Sequence, residues 1–175
     1  MRVNLANWFT VVRIFLAFPI FFLLISDISH ARLLAVFLFC FAGLTDYLDG
    51  KIARIFKSES KFGKFFDPFA DKILVISVLT GLVILKEVPA WMVLLIGARE
   101  LLVTFLRAGD IEKFSPTFFA KSKTAFQMCG ITIILFLPFL KIEFEHIITY
   151  VIMTGILLST LVSGIQYCFI ARRKM

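Results

Sequence analysis

The chain has 175 residues, 60% hydrophobic and 18% charged, which is more apolar and less charged than a soluble domain of this length. Its mean hydropathy is +0.94, and its 22 phenylalanines exceed what one soluble core would bury without leaving sticky patches. The net charge of +7 suits anionic lipid headgroups, and the absence of any soluble reading module excludes nucleic acid as a partner.

Crossing ~30 Å of hydrocarbon at ~1.5 Å per residue takes ~20 largely apolar residues. The pattern predicts six such helices, at residues 8–26, 31–54, 63–86, 89–108, 121–140 and 146–171. The apolar run of the first helix follows Arg13 and lacks a small-x-small cleavage site, so this helix is read as a span and not as a signal peptide. Pro19 falls inside it and Pro138 inside the fifth, where kinks are tolerated. Only the uncharged run 147–171 is long enough unaided, so the other helices must take in flanking charged residues. No segment alternates with period two as a lipid-facing barrel does. Cys40, Cys129 and Cys168 are isolated in apolar runs, and His30 and His146 lie in short polar breaks, so neither type supports a metal site or a disulfide framework.

An even number of spans puts both termini on one side. Of the 19 Lys and Arg residues, only Arg32, Lys86 and Lys141 fall at the opposite helix ends. Basic residues accumulate on the cytoplasmic side. The expected architecture is therefore an all-α integral membrane bundle of six helices, one domain over residues 1–175, with both termini cytoplasmic.

Four carboxylates stand out against this background. On a helix Asp46, Asp49, Gly50 and Ala53 fall at i, i+3, i+4 and i+7, and Asp67 and Asp71 at i and i+4; each set occupies one face. The two sets flank a short basic loop, so consecutive antiparallel helices bring them to the cytoplasmic end of the bundle. Together they repel, and two divalent cations cancel the formal charge. Oxygen-only ligation favours Mg²⁺ or Mn²⁺, and such a pair ~3.5–4 Å apart suits displacement at phosphorus. A solvated acidic helix end and an ion or proton pathway are the competing readings. Gly50 and Gly63 beside the aspartates open room for a nucleotide base or sugar, with helix packing through small residues as the alternative. Arg54, one residue past the acidic face, is in reach of a phosphate.

The stretch D46-x2-D49-G50-x2-A53-R54-x8-G63-x3-D67-x3-D71 resembles, without a departure, the signature of the CDP-alcohol phosphotransferases. These are membrane enzymes that join a CDP-linked lipid or alcohol to an alcohol acceptor. The resemblance implies that Asp46, Asp49, Asp67 and Asp71 hold two metals on the CDP pyrophosphate. It further implies that Gly50, Ala53, Arg54 and Gly63 cradle the nucleotide, and that the protein is a homodimer. Asp71 is the candidate general base.

The acceptor is read from a second group. Arg99 and Glu100 near the end of the fourth helix, Arg107 at its mouth, and Lys121 and Lys123 opening the fifth are deeply placed charges that need partners or a polar cavity. One Glu100 neutralises one of four cations, and the surplus suits an acceptor phosphate; snorkelling to headgroups is the alternative. Lys121 and Lys123 lie ~200° apart on a regular helix, so both meet one ligand only if the helix starts there. The run R99-E100-x6-R107, the run K121-S122-K123-T124-A125-F126-Q127 and the opening Asn7, Thr10 and Arg13 are similar to segments of the phosphatidylglycerophosphate synthase branch of that family, with Ala120 in place of a usual Gly. That likeness implies transfer from CDP-diacylglycerol to sn-glycerol 3-phosphate, giving phosphatidylglycerophosphate and CMP, in the cytoplasmic membrane and in contact with membrane lipid. An inositol-phosphate acceptor, a transporter and a purely structural membrane protein are the rival readings.

Overall fold

A computed structural model describes the backbone of residues 4–56, 61–109 and 118–174, and the side chains of residues 11–45, 69–104 and 122–166. Among the described residues there are six α-helices and no strand. They are α1 (Asn4–Ile25), α2 (Ala31–Phe56), α3 (Lys61–Ile84), α4 (Ala90–Gly109), α5 (Phe118–Phe136) and α6 (Glu145–Lys174). Each covers most of a predicted segment, because breakers inside the segments are few. Pro19 sits inside α1 without ending it. Pro138 behaves differently from a mid-span kink. It lacks an N–H and crowds the carbonyl four residues back, so α5 stops at Phe136 and the chain tightens into a 3-10 turn, Leu137–Leu140.

Three connections reverse the chain through a non-glycine residue in the left-handed region: His30 at φ 71°, Lys86 at φ 59° and Lys141 at φ 48°. Lys86 and Lys141 follow a helix and a 3-10 turn whose last carbonyls need such a reversal to be met, whereas His30 stands just ahead of α2 and its carbonyl accepts from Leu34 N–H at 3.0 Å.

The chain divides into two compact units, Met1–Leu85 and Lys86–Met175. In the first, α1 packs most extensively against α3 and also against α2. Its inner stripe is Arg13, Ala17, Ile20 and Leu24, at i, i+4, i+7 and i+11, and all four are buried. The α2 stripe is Ala31, Ala35, Phe39 and Ala42. Alanine dominates the α2 face and lets helices approach closely. Gly81 of α3 shows how closely: a β-carbon there meets Leu24 Cδ1 at 3.1 Å.

In the second unit α6 packs against both α4 and α5. Its inner stripe, Met153, Ile156, Thr160 and Ser163, is buried and turns polar towards the C-terminal end. Gly130 of α5 lies against Ile156 and Ile152, within 2.9 Å and 3.0 Å of where its β-carbon belongs.

The outer stripes are apolar. Val11, Phe15, Phe18 and Phe22 line one side of α1; Leu34, Phe37, Phe41 and Leu44 one side of α2; Ile147, Val151, Leu158, Val162 and Ile165 one side of α6, and all are exposed. Exposed aromatic and aliphatic stripes on this scale are foreign to a soluble monomer. Two stretches, Ser122–Leu140 and Glu145–Gln166, are long and apolar enough to cross a membrane.

Candidate active site

In the first unit, helix backbone runs unbroken through Asp46, Asp49, Gly50, Ala53 and Arg54 on α2 and through Gly63, Asp67 and Asp71 on α3. The i, i+3, i+4, i+7 and i, i+4 spacings are thus carried on real helix. The side chains of all these residues except Asp71 lie outside the described ones, as do those of Arg107 and Lys121.

Asp71 is placed by a partner that spacing alone does not reveal. Arg13, on the buried stripe of α1, donates from Nη1 to Asp71 Oδ1. The Arg13 side chain is 3% exposed and that of Asp71 36%. The carboxylate is therefore gripped on one side from within the helix pair and opens on the other. A guanidinium so deep in an apolar pair of helices needs an anion, and Asp71 supplies it. Arg13 was visible in the sequence only as the last member of the Asn7–Thr10–Arg13 pattern, with no role attached.

The second unit holds a denser cluster. Glu100 lies on α4 next to Arg99, and its Oε1 accepts from Arg99 Nη1 at 3.2 Å and from Lys123 Nζ of α5. The side chains of Arg99 and Glu100 are each 11% exposed and that of Lys123 5%. Sequence reasoning allotted Glu100 one cation; the structure gives its single oxygen two. Among the described residues of this cluster, two cations meet one carboxylate in a nearly closed setting, where charge is worth far more than at a wet surface. Lys123 is thus a buried, paired residue and not one snorkelling to headgroups.

The α5 helix starts at Phe118, ahead of both lysines. Lys121 and Lys123 therefore stand ~200° apart around one regular helix, and the condition for their meeting one ligand together is not met. Lys123 is the one that joins Arg99.

Two α6 residues complete the cluster and were missed by sequence reasoning. Ser163 Oγ accepts from Arg99 Nη2. Gly164 lies under the same side chain: a β-carbon there sits 3.2 Å from both Arg99 Cγ and Arg99 Nε. The sequence carried no distinct signal for them, since α6 holds other small pairs such as Thr154-Gly155 and Ser159-Thr160. On the other side of α4, Thr104 Oγ1 returns to the Glu100 carbonyl at 2.7 Å, and Gln127 of α5 is buried one turn after Lys123.

Helices with apolar residues turned outward and ion pairs turned inward define a helical membrane protein carrying a charged site. The chain belongs to the CDP-alcohol phosphatidyltransferase family, whose model matches residues 3–163. Among its relatives, the probable phosphatidylglycerophosphate synthase of Mycobacterium tuberculosis is 36% identical over 178 residues, covering 98% of this chain and 83% of that protein. The CDP-diacylglycerol–glycerol-3-phosphate 3-phosphatidyltransferase of Bacillus subtilis is 38% identical, covering 81% of this chain and 82% of that one. The protein of the same name from Rickettsia typhi is 40% identical, covering 75% and 76% respectively.

Proposed function

We propose that this protein transfers the phosphatidyl group of CDP-diacylglycerol to sn-glycerol 3-phosphate, releasing phosphatidylglycerophosphate and CMP. Family membership and the names of relatives at 36–40% identity support the reaction. The observation that carries the acceptor is the buried Arg99–Glu100–Lys123 cluster with its surplus positive charge. A phosphate monoester is the anion such a fork and point charge recognise.

The donor set suits hard divalent cations, Mg²⁺ or Mn²⁺, with Asp46, Asp49, Asp67 and Asp71 as the residues that hold two of them. It is all oxygen and tetra-anionic, and its one described member, Asp71, presents a half-open carboxylate already fixed by Arg13. When bound, such cations offset charge on the pyrophosphate and its leaving group. Gly50, Ala53, Arg54 and Gly63 form the nucleotide cradle. Arg99 and Arg107 hold the acceptor phosphate, and Lys123, in place of Lys121, sets Glu100 and adds its charge to the same pocket. Asp71 takes the proton from the glycerol 1-hydroxyl. That oxygen attacks the lipid-linked phosphorus in line, and the bond from this phosphorus to the bridging oxygen of CMP breaks.

The bundle crosses the cytoplasmic membrane six times as one domain, with both termini and the aspartates on the cytoplasmic side. The excess of Lys and Arg at those helix ends supports this orientation. A homodimer is the expected assembly. The deciding experiment measures CMP release from CDP-diacylglycerol by the purified chain. Release is expected only with glycerol 3-phosphate present, and it stops with EDTA and returns with Mg²⁺ or Mn²⁺. Release driven equally by inositol phosphate would reassign the acceptor.

A further inference from the structure

The hydrogen bond from Arg99 to Ser163 and the bare backbone at Gly164 belong to α6, an element that supplies no residue to the reaction as set out above. Arg99 is a long side chain with several rotamers, and a guanidinium recognises phosphate well only if its fork is already aimed. Three contacts define its position. Glu100 Oε1 takes Nη1 at 3.2 Å. Ser163 Oγ takes Nη2. Gly164 removes the β-carbon that would stand 3.2 Å from Arg99 Cγ and Nε, a tighter approach than side chains normally make. The first contact comes from the same helix, so it moves with Arg99. The other two come from α6 and tie the guanidinium to a second element. Ser163 is itself buried, at 4% exposure, which keeps water from competing for the bond.

We infer that Ser163 and Gly164 are positioning residues for acceptor recognition: α6 aims the Arg99 guanidinium at the phosphate of the acceptor. The inference rests on the reading of Arg99 as a phosphate ligand. It adds that the Ser-Gly pair sets acceptor affinity without touching the acceptor.

The test uses the full chain purified in detergent and reads initial rates of CMP release, varying each substrate at saturation of the other. Ser163→Ala removes a hydrogen bond to a charged group, and the KM for glycerol 3-phosphate is expected to rise roughly tenfold. The KM for CDP-diacylglycerol stays at the parent value. Gly164→Ala, which replaces a poor helix former by a good one, is expected to raise the same KM several-fold without lowering the melting temperature. On an Arg99→Lys background, where the fork is gone, Ser163→Ala adds no further change, because residues acting through one another are non-additive. Equal shifts for both substrates, or a full independent effect of Ser163→Ala on that background, would overturn the inference. If Arg99→Lys alone leaves the glycerol 3-phosphate KM at the parent value, then the reading of Arg99 as phosphate ligand fails. In that case the effect of Ser163→Ala is structural.

Discussion

Asp71 and Glu100 show what a single carboxylate does in this molecule. Each meets a buried cation: Arg13 for Asp71, and both Arg99 and Lys123 for Glu100. Their neighbourhoods differ, and so do the expected consequences of losing them. Asp71 is half open and Arg13 holds only one of its oxygens in the bond described. In Asp71→Asn the amide keeps shape and hydrogen bonding but cannot accept the acceptor's proton. We expect turnover to fall by about 10²-fold or more, while Mg²⁺-dependent CMP binding persists in calorimetry. Near-parental turnover would remove Asp71 as the base. Glu100 is closed in, and Glu100→Ala leaves Arg99 and Lys123 side by side without a common anion. Breaking a buried pair in this way costs about 3–5 kcal/mol. A large drop in melting temperature is expected for Glu100→Ala and a smaller one for Glu100→Gln, which keeps an accepting oxygen. Equal drops would mean that the charge of Glu100 is irrelevant.

At the scale of helices, the chain relies on small residues where elements meet and large ones where they do not. The α2 inner stripe is rich in alanine and the α1 stripe carries Ala17, while the outer stripes of both are largely Phe and Leu. Lipid tails are as apolar as those outer side chains, so close backbone approach rather than hydrophobic burial must hold the helices together. Gly81 is the sharpest instance, with Leu24 Cδ1 3.1 Å from its missing β-carbon. Gly81→Ala is expected to be absorbed by a small turn of the flexible Leu24 side chain. Gly81→Val pushes branched bulk into the α1–α3 seam and is expected to destabilise by about 1–3 kcal/mol. Thermal unfolding in detergent reads both; an unchanged midpoint for Gly81→Val would mean that the seam is slack. The same two helices carry Arg13 and Asp71, so the seam bears on the placement of the proposed base.

For the whole molecule, the uneven distribution of basic residues argues that one side faces the cytoplasm. Arg32, Lys86 and Lys141 stand alone at the other helix ends, and two of them, Lys86 and Lys141, are themselves the left-handed turning residues there. The orientation is open to a direct test after Cys40, Cys129 and Cys168 are replaced by serine. A membrane-impermeant maleimide is expected to label Lys141→Cys in intact cells and Lys174→Cys only after permeabilisation. The opposite pattern would invert the proposed topology and move the aspartates to the other face.

The helices and their approximate ends are legible in the chain, since long apolar runs with few breakers leave the backbone no other way to satisfy its hydrogen bonds in an apolar medium. The family is legible there too, because the aspartate signature is a spacing along two helices and spacing is written in the chain. The breakdown at Pro138 was half legible: the residue announced a disturbance, but whether a kink or a helix end followed depended on the turn beyond it. The partners come from packing. That Arg13 meets Asp71, that Lys123 joins Arg99 on Glu100, and that Ser163 takes the Arg99 guanidinium are facts about pairs 58, 23 and 64 positions apart, Arg13–Asp71, Lys123–Glu100 and Ser163–Arg99. No local pattern encodes such pairings, because they depend on the rotation of each helix about its own axis, and that is fixed only when neighbouring helices pack.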